Sequence, residues 1–184
     1  MNRRKFLVTS AAVTAFGSDL MAAPHLNSGE KDGFLVKSGQ ARNGKHTPFR
    51  GVNPNDLKIS TLDTAGQMSV FEYIGFEKTG PALHVHLEQD EVFYVVEGEY
   101  LFQLGEEKHH LSAGDTIFLP RNIPHTWIQT SERGKLVYIL QPAFKMEEFF
   151  QAMTDLGRPP TEEEAQKISL DHGIRNVGPP LTLN

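Results

Sequence analysis

The chain has 184 residues, 39% of them hydrophobic, and a mean hydropathy of −0.37, which fits one modest globular domain. Its formal net charge is −5 with no basic block beyond the first few residues, which argues against nucleic-acid binding. There is no cysteine, so disulfides and thiolate ligands are excluded, and any metal site must use imidazole and oxygen donors.

Residues 1–23 read as a targeting segment. Arg3, Arg4 and Lys5 precede the apolar run LVTSAAVTAFG, which is too short to span a bilayer but suits a signal-peptide core. Small residues at Ala15-Phe16-Gly17 and at Met21-Ala22-Ala23 offer two cleavage points. The string Arg-Arg-x-Phe-Leu resembles a twin-arginine export signal, with Asn2 in place of the usual Ser or Thr and Val8 in place of the usual Lys. An ordinary Sec signal or an amphipathic N-terminal tail is the alternative. The expectation is therefore an exported, periplasmic protein. Removing residues 1–23 leaves 161 residues with 15 basic and 22 acidic side chains, a net charge of −7, and no membrane span.

An N-terminal extension over 24–45 leads into a β-rich region over 46–143. Short strands are predicted at 68–76, 91–96, 100–104, 116–119, 125–129 and 135–140, with Gly66, Gly80, Gly105, Gly114 and Gly134 marking the turns between them. His109 and His110 fall on a further strand, expected to be exposed. Many short strands at this spacing argue for a sandwich or barrel, and no internal repeat is visible. Residues 144–184 form a C-terminal helical segment and tail. Met146, Phe149, Phe150 and Met153 make one apolar stripe at helical spacing, expected to pack on the outside of the barrel. Thr161 and Glu164 make a capping box for a second helix to about His172, with Gly173 as its C-terminal cap. The tail NVGPPLTLN is expected to lie against the barrel.

Four residues carry the chemistry. His84 and His86 are two apart, so on a strand they share a face. Glu91 opens the next strand after the polar break Glu88-Gln89-Asp90, and His125 follows a Gly-Asp turn, a short apolar strand and a Pro-Arg-Asn-Ile-Pro loop. Three imidazoles and one carboxylate can close around one divalent first-row metal and leave positions open for substrate or oxygen. Iron, manganese, nickel, cobalt, copper and zinc all suit these donors. By strand parity, Phe93 and Val95 share a face with Glu91, and Trp127 shares one with His125, so Phe93 and Trp127 are candidate substrate-binding walls. Arg121, in the loop before His125, is either a steering group at the site mouth or a solvated loop arginine.

The stretches GPALHVHLEQDEVFYVVEGEY and AGDTIFLPRNIPH resemble the two motifs of the cupin superfamily. His84, His86, Glu91 and Gly98 match the first motif, and Gly114, Pro120 and His125 match the second. Asn122 stands where the second motif has a further Gly, Gln129 stands where it ends in Asn, and Gly80 lies too close to His84 to be the leading Gly of the first. Asn tolerates positive φ better than most residues, so its substitution is mild. The resemblance implies an all-β double-stranded β-helix, a jelly-roll barrel with short C-terminal helices and a metal inside its wider mouth. With PAFKMEEFF and the terminal GPPL included, the chain is similar to small single-domain proteins related to quercetin 2,3-dioxygenase. That implies a metal-dependent dioxygenase acting on an aromatic or enol-type small molecule, with Glu91 as ligand and base, and a homodimer. The alternatives are a non-oxidative isomerase, epimerase or lyase, and a small-molecule-binding protein without catalysis.

Overall fold

The computed structural model describes residues 32–183; the expected signal segment lies outside them. Ten strands and two helices follow in order among the described residues: β1 (Asn55–Ile59), β2 (Ser69–Gly75), β3 (Ala82–His86), β4 (Asp90–Glu97), β5 (Glu99–Leu104), β6 (Glu107–Ser112), β7 (Thr116–Leu119), β8 (His125–Gln129), β9 (Gly134–Gln141), α1 (Met146–Asp155), α2 (Glu162–Asp171) and β10 (Ile174–Pro180). They form two five-stranded sheets, β1-β2-β9-β4-β7 and β10-β3-β8-β5-β6. The strand pairs are antiparallel. The fold is the double-stranded β-helix.

Alternation drives the packing. In β4, Glu91, Phe93 and Val95 are buried while Tyr94, Val96 and Glu97 are exposed. In β9, Leu136, Tyr138 and Leu140 point inward, and in β2 Phe71 and Tyr73 do the same. These side chains meet Phe102 and Trp127 from the opposite sheet in one core. Each buried Phe or Leu contributes roughly 1.5–3 kcal/mol.

Close approach dictates two glycines. A Cβ on Gly80 would stand 1.7 Å from the Trp127 carbonyl oxygen. Gly98 turns the chain from β4 into β5 with φ +87°, and a Cβ there would meet the Arg133 carbonyl oxygen at 2.4 Å. Asn122 adopts φ +65°, as its place in the second motif requires. Gln129 is fully buried and donates to the Ser131 carbonyl oxygen at 3.0 Å.

The capping box on α2 is formed, and Gly173 ends that helix with φ +77°. Two features go beyond the sequence expectation. The tail forms β10, an edge strand that pairs Ile174 with His86 and Asn176 with His84. The stripe on α1 does not cover the outside of the barrel. It turns into the mouth between the two sheets, where the Phe150 ring meets Phe71 at 5.1 Å. An apolar stripe specifies that a helix face is buried and leaves open which surface buries it.

Candidate metal centre

Three strands from both sheets deliver the four donors. His84 and His86 come from β3, and His125 comes from β8, which is paired to β3 with His84 opposite His125. Glu91 comes from β4 in the other sheet, held in register by Leu119 of β7 and Leu140 of β9. One ligand atom from each of the four residues can be chosen so that all lie within 4.8 Å of one another. Glu91 Oε2 is 3.6 Å from His86 Nε2 and 3.4 Å from His125 Nε2. A cation held at about 2.0–2.2 Å from each donor needs donor separations of roughly 3–4.4 Å, close to this spacing.

The ring nitrogens not facing the cluster fix its chemistry. His84 Nδ1 donates to the Ala82 carbonyl at 2.8 Å, and His125 Nδ1 donates to the Ile123 carbonyl at 2.9 Å. His86 Nδ1 donates to Gln89 Oε1 at 3.1 Å. The amide nitrogen of Gln89 in turn donates to the Ala143 carbonyl. Every acceptor here is an oxygen that cannot donate, so each Nδ1 carries a proton, and in the neutral form of each ring Nε2 presents its lone pair to the cluster. His86 Nε2 and His125 Nε2 are buried without a hydrogen-bond partner. Burial, reinforced by the neighbouring imidazoles, lowers the pKa of His84 to about 3; burial and His125 do the same for His86. Neutral imidazoles with inward lone pairs are what a divalent cation requires, and the donor set fits one.

The cluster opens into a cavity of about 740 Å³. Phe93 and Trp127 both line it, as strand parity predicts, together with Tyr73 and Tyr138. Phe93 stacks on Tyr138 at 5.0 Å, and Trp127 meets Tyr73 edge-on at 5.1 Å. The far wall is α1, through Met146, Phe149, Phe150 and Met153. Arg121 stands apart from this cavity. It grips Asp90 with Nη2 to Oδ2 at 2.7 Å and Nε to Oδ1 at 3.0 Å, and it lowers the Asp90 pKa to about 2. It therefore anchors the loop before His125 to the start of β4. Of the remaining histidines, His46 pairs with Asp56, His109 and His110 lie on β6, and His172 donates to the Ile168 carbonyl.

Three residues at the site are silent in the motifs. Gln89 sits inside the polar break, buried, and orients His86. Asn55 and Tyr138 form a buried hydrogen-bonded pair on the cavity wall. The spacing signal that marks the ligands carries nothing about partners contributed from 54 or 83 positions away.

The family described as Cupin domain matches residues 73–140. An uncharacterised protein of Aquifex aeolicus is 33% identical over 89 residues, which cover 48% of this chain and 72% of that protein. The protein SchB of Streptomyces halstedii is 28% identical over 124 residues, covering 62% of this chain and 85% of that one. Among solved structures, an RmlC-like cupin from Shewanella frigidimarina superposes with a TM-score of 0.53 at 19% identity, over 64% of this chain and 96% of that one. KdgF from Halomonas sp. superposes with a TM-score of 0.51 at 16% identity, over 61% of this chain and 94% of that one. At these identities the two structures establish the fold alone.

Proposed function

The chain belongs to the cupin superfamily, and from that premise we propose that it is a metal-dependent dioxygenase acting on an aromatic or enol-type small molecule. The observation that carries this reading is the set of three imidazole nitrogens and one carboxylate at the end of an aromatic-walled cavity. A divalent ion held there by His84, His86, Glu91 and His125 would supply Lewis-acid polarisation of a substrate oxygen and, if redox-active, activation of dioxygen. With one carboxylate donor the site keeps a net charge near +1, which suits an enolate or catecholate. Glu91, besides holding the ion, would take the proton of an enol or phenol. Phe93, Trp127 and the α1 side chains exclude water from the reacting centre and offer flat surfaces to a planar substrate.

The proposal extends to export through the twin-arginine route and to a homodimer. The outer face of β4 and β7 presents Tyr94, Val96 and Phe118 to solvent, an apolar face suited to a second copy. A monomer by light scattering would remove that part. The function is tested by oxygen uptake of the metal-loaded protein on a panel of catechols, flavonols and diketones. Uptake that depends on bound metal is the expected result. A metal-loaded protein that turns over none of them is a binding or non-oxidative cupin instead.

A further inference from the structure

Outside the ligand cluster, two charged side chains line the cavity, Arg50 and Arg158. Glu164 neutralises Arg158, accepting from Nη1 at 2.8 Å and from Nη2 at 2.6 Å. Arg50 is left with its charge. The arginine ion pairs among the described residues join Arg42 to Asp63, Arg121 to Asp90 and Arg158 to Glu164, and none includes Arg50. Its Nη2 donates to the Gly80 carbonyl at 2.9 Å, and its Cζ lies 5.7 Å from the centroid of the Phe49 ring. These two contacts place the guanidinium itself at the cavity mouth, because Phe49 and the neighbour of Gly80, Pro81, both line the cavity. The Phe49 ring in turn packs at 6.0 Å on both Tyr73 and Trp127. Arg50 is exposed, so a ligand reaches it without opening the barrel. It holds φ +52°, a left-handed conformation that glycine would adopt at lower cost. Gly80 precedes the ligand His84 by four residues, so their backbones stand at most about 14 Å apart.

We propose that Arg50 is the anion-recognition residue of this cavity, binding the carboxylate of an aromatic or enol-type acid whose other end reaches the ligand cluster. The assignment rests on the reading of this cavity as the ligand site and narrows the ligand to an acid. A guanidinium presents paired N–H donors that match a carboxylate, and one bond to Gly80 leaves others free. Aromatic walls beside it lower the local dielectric, so a charge pair here is worth more than on an open surface. A neutral ligand would leave the cation without a counter-charge. The filled ligand cluster, with one carboxylate donor, is positive as well. Two positive ends suit a ligand with an ionisable ring oxygen at one end and a carboxylate at the other, separated by one ring and a short side chain. The arginine at the mouth is thus Arg50, while Arg121 is held by Asp90.

Caffeate and protocatechuate, each beside its neutral carboxamide, test this on the full chain loaded with zinc, by titration calorimetry. Within each pair the ring and its two hydroxyls are the same, and only the charge at the acid end changes. The wild type should bind at least one acid about 10-fold more tightly than its amide, the worth of a charge-assisted hydrogen-bonded pair. Arg50→Gln should abolish that preference and leave the amide within about 2-fold of the wild type. Arg50→Lys should restore part of it, since lysine keeps the charge and loses the paired donors. General loosening of the barrel would weaken acid and amide alike, so their ratio isolates the guanidinium. Equal binding of acid and amide by the wild type, or a preference undiminished in Arg50→Gln, overturns the assignment and leaves the cavity as a catechol site. A wild type that binds none of these compounds overturns the assignment together with the cavity reading. An acid preference that depends on Arg50, without oxygen uptake on the substrate panel, upholds it and removes only the dioxygenase reading.

Discussion

Gln89 links the end of β9 to the ligand cluster. The Ala143 carbonyl fixes its amide, and the amide fixes the tautomer of His86. Gln89→Leu keeps a side chain of similar length and breaks both bonds. It should weaken metal affinity by about 10- to 100-fold with the fold intact, as loss of an outer partner of a metal-bound histidine does. A competitive chelator titration measures this, and wild-type affinity in the variant would show that the relay is idle. Glu91 has the opposite profile. Glu91→Gln retains an oxygen donor and removes charge and basicity. Metal occupancy should fall modestly, while oxygen uptake per bound metal should fall by about 10²-fold or more. Equal rates per metal would leave Glu91 as a ligand only. At this scale the four donors were legible because strand parity and loop length fix them locally. Gln89, Asn55 and Tyr138 were not, because each acquires its role from a distant partner that only the folded chain supplies.

The six strands predicted from short runs between turn signals appear within a residue or so of their expected ends; β4 and β9 alternate buried and outward side chains, whereas β8 is buried at every position. Two of the edge strands, β1 and β10, were harder to read. β1 is short and carries Asn55, Asp56 and Lys58, and β10 contains Gly178, Pro179 and Pro180. Proline cannot donate to a ladder, which makes that stretch look like a tail. An edge strand has a free side where the missing donor does not matter, and the β10–β3 register shifts around Gly178 and Pro180. The consequence is functional, since β10 braces the strand that carries His84 and His86. Gly80 acts on the neighbouring element. Gly80→Ala would drive a Cβ into the Trp127 carbonyl and push β8 away from the loop that precedes β3. The expected cost is about 1–3 kcal/mol, read by denaturant unfolding, with loss of metal because β8 carries His125. Wild-type stability would mean that this loop yields without cost.

Across the whole molecule, the two sheets divide the work. One contributes three imidazoles and the other the carboxylate, so the ligand set exists only when the barrel is closed. From the described part of the N-terminal extension, Gly39 and Ser38 bond the buried Glu72 carboxylate of β2. No helix among the described residues is long and apolar enough to cross a membrane. The export proposal rests on Arg3 and Arg4. Changing both to Lys should leave precursor in the cytoplasm, seen by fractionation, whereas undiminished export would favour the Sec route. A folded-cargo route would also let the metal be loaded before export. The central claim is that His84, His86, Glu91 and His125 form a metal site. Elemental analysis of the purified wild type beside His86→Ala tests it most directly. About one divalent first-row ion per chain is expected in the wild type, and most of it should be lost in the variant. A wild type that takes up no metal even when refolded with excess, or a His86→Ala variant that retains as much as the wild type, would contradict it.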